Sequence, residues 1–213
     1  MNAYFYPMIV VLDYHMGNHH SVKRKLDKLG VESMVSSDPE DLINAHKIIM
    51  PGVGHFGKAM QNLRELRLID PLNHAVLKDK KPILGICLGM QLMAKSSEEC
   101  TDGNNQGLGW INGTVKRFVV RDALSYKVPH IGWNTVPLSK ESPLLSGINA
   151  GEEFYFVHSY YMQLDDPSDE LMETTYELPF TSAVEKGNIY GVQFHPEKSH
   201  DSGMQLLKNF VDL

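Results

Sequence analysis

The chain has 213 residues, 42% of them hydrophobic and 22% charged, a composition that argues against disorder and against a fibrous or collagen-like chain. A net charge of -6 with no Lys/Arg-rich run leaves nothing to neutralise a string of phosphates, so nucleic acid is not an expected partner. The apolar stretches are far too short to cross about 30 Å of hydrocarbon and no signal-peptide pattern precedes Met8 to Leu12, so a cytoplasmic protein is expected.

The first half alternates short apolar runs with amphipathic segments, the pattern of a parallel sheet covered by helices. Met8 to Leu12 is expected as a first strand, Ser21 to Leu29 as a helix ending at Gly30, and Val31 to Ser36 as a second strand. Lys47 to Met50 follows as a third strand stopped by Pro51-Gly52, and Ile83 to Ile86 as a fourth that leads at once into a helical pattern over Leu88 to Lys95. From about Gly109 the texture changes to short strands over Trp110 to Val120, His130 to Pro137, Phe154 to Tyr161, Phe180 to Glu185 and Ile189 to Phe194, with a closing helix over Gly203 to Val211. No linker separates the halves, so one domain over residues 1–213 is expected, with a doubly wound, mostly parallel α/β sheet.

Two cysteines, Cys87 and Cys100, do not make a disulfide framework, and at least one thiol is free to react. Gly85-Ile86-Cys87-Leu88-Gly89 sets the first of them between glycines where a strand meets a helix, the layout of a nucleophile elbow. A turn sharp enough to expose the side chain brings strand and helix backbones too close for a Cβ on either side, and a position beside a helix N-terminus suits a thiolate nucleophile. The competing reading is a buried core cysteine.

A cysteine nucleophile needs a general base, and the base needs a third group to fix its orientation. Gly191-Val192-Gln193-Phe194-His195-Pro196-Glu197 offers a histidine at a strand end with a carboxylate two residues on, and Pro196 constrains where the Glu197 side chain starts. Taken alone, such a histidine is more often a hydrogen-bonded structural residue than a catalyst. Pro51-Gly52-Val53-Gly54 is either a simple turn or a glycine-rich backbone able to aim amides at an oxyanion. It lacks the Lys and Ser/Thr of a phosphate loop, which disfavours nucleotide binding.

Together, Gly-Ile-Cys87-Leu-Gly-Met-Gln91 and Gln-Phe-His195-Pro-Glu197 resemble the class I (triad) glutamine amidotransferases. Five further segments resemble one group within that family, the glutaminase subunits of imidazole glycerol phosphate synthase: Asp13 to Asn18, Pro51 to Gly57, Gly107 to Trp110, Pro129 to Asn134 and Tyr155 to Tyr160. The resemblance implies a flavodoxin-like fold and a thioester mechanism with Cys87, His195 and Glu197 as triad. It also implies Gly52, Val53 and Leu88 around the oxyanion, and Gln91, Glu99, His158, Ser159 and Tyr160 around the glutamine. By the same resemblance a (β/α)8-barrel cyclase of histidine biosynthesis receives the ammonia in a heterodimer, meeting this chain near Trp133, Tyr155 and Lys198.

A glutaminase of the same class feeding a different, sugar-modifying synthetase is the alternative. An α/β-hydrolase is disfavoured because those enzymes run nucleophile, acid, histidine, whereas here His195 precedes Glu197. The group commonly has glycine where His15 stands, a departure confined to the first loop. The remaining histidines, among them His19, His20, His55, His74, His130 and His200, lack ligand-like spacing, so no metal or other cofactor is expected. Met90 and Met93 are expected in the core, and Tyr4 to Tyr6 at an edge or surface.

Overall fold

The computed structural model describes residues 8–100 and 105–213. Its first half alternates β1 (Ile9–Leu12), α1 (His19–Lys28), β2 (Ser33–Ser36), α2 (Pro39–Asn44), β3 (Lys47–Gly52), α3 (Phe56–Glu65) and α4 (Ile69–Asn73), the last running into a wider π-type turn at His74–Lys78. Next come β4 (Ile83–Cys87), α5 (Leu88–Leu92), β5 (Ser96–Ser97), β6 (Gly113–Arg117), β7 (His130–Thr135) and β8 (Glu153–His158). The chain closes with β9 (Tyr160–Leu164), β10 (Glu170–Tyr176), β11 (Leu178–Lys186), β12 (Ile189–Val192) and α6 (His200–Asp212).

The main sheet has the order β2-β1-β3-β4-β12-β11-β9-β6-β5, with β10 attached to β11, and β7 and β8 form a separate antiparallel pair. From β2 to β12 every neighbouring pair is parallel, and this order is that of a flavodoxin-like sheet with β12 in the last place. Strands buried on both faces read as continuous apolar runs, which is why β1, β3 and β4 stand out in the sequence. Alternate residues of β1 divide between two cores: Val10 and Leu12 face Phe56, Leu63 and Met90 beneath α3 and α5, while Ile9 and Val11 face Val22, Leu26 and Phe210 beneath α1 and α6. Met90 and Met93 lie in the first core. Among the described residues no helix is long and apolar enough to cross a membrane.

The structure differs from the sequence expectation at several edges. β3 does not stop before Pro51-Gly52 but carries both, with Pro51 opposite Ile86 and Gly52 opposite Cys87 on β4. The expected strand over Phe154 to Tyr161 is two strands in different sheets, broken at Ser159. α5 ends at Leu92, because the Lys95 amide leaves the helix to bond Gly113 O at the edge of β6. α2, α3, α4 and β10 arise where no element was expected, and Tyr4 to Tyr6 lie outside the described residues.

Candidate active site

In an open parallel α/β sheet, ligands gather beyond the carboxyl ends of the strands. Here β3 ends at Gly52, β4 at Cys87, and β12 runs out toward His195. Gly52 and Cys87 are register partners, so the candidate oxyanion strand and the nucleophile are adjacent by sheet pairing alone.

Cys87 sits at the elbow with φ +54° and ψ -110°, a conformation L-residues rarely adopt, and it immediately precedes α5. The flanking glycines are required by contact. A Cβ on Gly89 would lie 1.8 Å from the Met50 carbonyl oxygen, and one on Gly85 would lie 2.7 Å from the Met90 amide nitrogen. Gly52 is as tightly held, since a Cβ there would come within 2.2 Å of the Tyr14 hydroxyl.

His195 follows β12 in extended backbone, and Pro196–Lys198 then form a 3-10 turn. That turn brings the Glu197 carboxylate back under the ring, where Oε1 pairs with His195 Nδ1 at 2.8 Å. Both side chains are 2% exposed. The ring's backbone is fixed in turn: His195 N donates to Tyr155 O at 2.9 Å, and Ser199 Oγ donates to His195 O at 2.6 Å. Burial pulls the His195 imidazole toward its neutral form, but hydrogen bonding and charge from Cys87 and Glu197 outweigh it and hold the group up at about 9. Among the described residues His195 Nε2 makes no well-formed hydrogen bond, so its contact with the Cys87 sulfur is a loose one. Such loose contacts in ligand-free enzymes commonly tighten only in the reacting complex.

A cavity of about 320 Å³ opens over this constellation, lined by Val53, Gly54, Cys87, Leu88, Gln91 and Glu99 on one side and by Pro129 and residues 157–160 on the other. Every residue expected around the glutamine therefore lines it. Gln91 donates both N–H groups of its amide, to Tyr160 O and to Gln193 Oε1, each at 2.9 Å, which leaves its own carbonyl oxygen as the acceptor. Glu99 Oε2 accepts from the Phe56 amide at the start of α3, at 2.7 Å. Both ring nitrogens of the His158 imidazole are already engaged. The imidazole bonds Tyr160 O at 2.7 Å and the buried His130 ring at 3.1 Å, which leaves no ring nitrogen free for a ligand. Burial drives both rings toward the neutral form, His130 down to about 4 and His158 to about 3.

Trp133, Tyr155 and Lys198 lie outside the cavity, on the outer face of β7 and β8. Trp133 pairs across the strands with Tyr155 and stacks on His200 with ring centroids 4.8 Å apart, and Lys198 Nζ stands 5.6 Å over the Tyr155 ring. The row continues through Ile131, 59% exposed, to Val157 at the cavity wall. His15 takes φ +62° and so keeps the backbone region in which glycine is easiest.

Two groups escaped sequence reasoning. The Tyr14 hydroxyl is wholly buried against Gly52 without a hydrogen-bond partner among the described residues, and Gln193 lies between Gln91 and Cys87. Gln193 stood inside the histidine motif, but no local pattern gave its direction.

The sequence profile of the family described as "Glutamine amidotransferase class-I" matches residues 10–213. The chain is 50% identical over 204 residues to "Imidazole glycerol phosphate synthase subunit HisH 2" of Methanococcus maripaludis, covering 96% of this chain and 98% of that one. It is 50% identical over 206 residues to the protein of the same name from Pseudomonas aeruginosa, covering 97% and 100%. Among solved structures, PurLQS from Thermotoga maritima matches with a TM-score of 0.70 at 16% identity, covering 98% and 99%. A glutamine amidotransferase from the same organism matches with a TM-score of 0.65 at 16% identity, covering 98% and 84%. At those identities the structural likeness speaks to fold.

Proposed function

The chain belongs to the class I glutamine amidotransferases, in the group of imidazole glycerol phosphate synthase HisH subunits, and from that premise we propose how its residues divide the work. It is the glutaminase subunit of that synthase, hydrolysing L-glutamine to glutamate and ammonia, and the family match over residues 10–213 supports reading the chain as one glutamine amidotransferase domain.

Cys87 Sγ attacks the carboxamide carbon, and the Gly52–Val53 peptide and the Leu88 amide stabilise the oxyanion that forms. The tetrahedral adduct collapses to a thioester as His195 gives its proton to the departing ammonia. His195 then takes a proton from water, whose oxygen attacks the thioester and frees glutamate with the thiol restored. Glu197 keeps the ring oriented throughout. The amino-acid end of the substrate is held by the Gln91 carbonyl oxygen, the Glu99 carboxylate and the backbone of residues 158–160. The observation that carries this reading is a strained cysteine at the end of β4, next to a buried His195–Glu197 pair at 2.8 Å and opening into the cavity.

Ammonia in neutral water is mostly protonated and non-nucleophilic, so a useful glutaminase delivers it through a sheltered path and only when an acceptor is ready. The partner is a (β/α)8-barrel cyclase that covers the aromatic row from Trp133 and Tyr155 to Lys198, an anchor set suited to the centre of a stable interface. Docking there reaches the cavity wall through Val157, and Gly54, with φ +108°, gives the oxyanion strand a pivot for turning a peptide. Glutamine turnover measured for the chain alone, with the barrel protein, and with barrel plus an acceptor analogue tests this. Turnover should rise in that order. A lone chain already at full rate and indifferent to the barrel would overturn the partner assignment.

A further inference from the structure

Gln193 is fully buried between two apolar neighbours, Val192 and Phe194, in a segment where an apolar side chain would pack without a desolvation cost. Its amide orientation follows from its surroundings. Gln91 Nε2 donates to the Tyr160 carbonyl, which can only accept, and its second N–H points to Gln193 at 2.9 Å, so that atom of Gln193 is the oxygen. The nitrogen of Gln193 therefore faces the other way, and there it lies 3.6 Å from Cys87 Sγ, within donor range of a sulfur. The opposite approach to the sulfur is weak, since Val157 O lies 4.0 Å away.

From this arrangement we infer that Gln193 is a positioning residue of the glutaminase: one side chain both donates to the Cys87 sulfur and fixes Gln91, coupling nucleophile to substrate cradle. The inference rests on Cys87 being the nucleophile. A neutral donor directed at the sulfur stabilises it while it carries charge without adding a competing charge to the site, and it biases the strained elbow toward one sulfur position. The amide carbonyl, facing Gln91, keeps that residue's acceptor turned into the cavity. Replacing Gln193 therefore disturbs two properties that a merely space-filling residue would leave alone.

The test is the rate at which iodoacetamide alkylates Cys87 at neutral pH, followed by peptide mass spectrometry that separates it from Cys100, beside kcat and KM for glutamine. Iodoacetamide reports the sulfur without using the glutamine cradle. In Gln193→Met, of similar length, Cys87 alkylation should slow by about tenfold to a hundredfold, as for loss of a hydrogen bond to a charged group, and KM should rise. In Gln91→Met, which leaves the Gln193 donor in place but removes the group that orients it, KM should rise while Cys87 alkylation slows clearly less than in Gln193→Met. Should Gln193→Met fail to melt cooperatively, Gln193→Asn, one methylene too short to reach the sulfur, decides in its place with the same expected slowing. Wild-type alkylation in a folded Gln193 variant, or equal slowing in Gln91→Met, would overturn the inference. Full glutaminase activity in Cys87→Ala would instead remove the reading beneath it, so the two failures are distinct.

Discussion

Gly89→Ala puts a single methyl group where the elbow has no room. The new Cβ would sit 1.8 Å from Met50 O, whereas real Cβ atoms keep at least 3.0 Å, and the obstacle is backbone on β3 and not a side chain that can swing away. The first turn of α5 must therefore move off β3 by about 1 Å, carrying Leu88 and Cys87 with it and away from the register partner Gly52. A misplacement of about 1 Å at reacting groups costs about a hundredfold in rate, and overpacking of this kind costs about 1–3 kcal/mol in stability. The assay pairs kcat/KM for glutamine hydrolysis in the assembled synthase with a thermal melt of the isolated chain. We expect a lower melting temperature and at least about a hundredfold loss in kcat/KM, well beyond what the retained folded fraction explains. Activity within a few-fold of wild type would refute the claim that close contact at the elbow sets the nucleophile's position.

Three other perturbations follow from the same geometry. His195→Asn should lower kcat by several orders of magnitude and Glu197→Gln by clearly less, because packing and the backbone bonds of His195 partly replace an orienting group; equal losses at every pH would give Glu197 a more direct role. The buried His130 and His158 rings have depressed folded values, about 4 and about 3, so their stabilisation is present above the unfolded value near 6.5 and is lost as pH falls through the folded ones. Denaturant melts should thus show stability dropping below about pH 6.5, and the drop should shrink in His130→Phe. Tyr14→Phe removes a buried hydroxyl that has no partner among the described residues and should raise stability by about 1 kcal/mol in denaturant melts; a destabilised variant would mean that the hydroxyl is satisfied in solution.

The parallel half of the sheet was legible because its strands are buried on both faces and bounded by turn residues, so β1, β3 and β4 appear as uninterrupted apolar runs. The elbow and the His195–Glu197 pair were legible for a different reason: each is local, with its steric logic contained in five and three consecutive residues. Elements whose formation depends on distant partners were not. Ser159 reads as part of one strand, yet β8 pairs with β7 while β9 pairs with β6, and only the assembled sheets require the break. Pro51-Gly52 reads as a stop, but strand pairing with Ile86 and Cys87 carries β3 through it. The orientation of Gln193 depends on Tyr160 and Gln91, far away in sequence and adjacent only in the fold.

Which sulfur glutamine meets decides the chemistry of this site most directly. Incubation with a glutamine-mimicking electrophile, followed by peptide mass spectrometry and an activity assay, measures it. We predict one equivalent of label on Cys87, none on Cys100, complete loss of glutamine hydrolysis, protection by glutamine, and no labelling in Cys87→Ala. Label on Cys100, or hydrolysis persisting with Cys87 fully blocked, would contradict it.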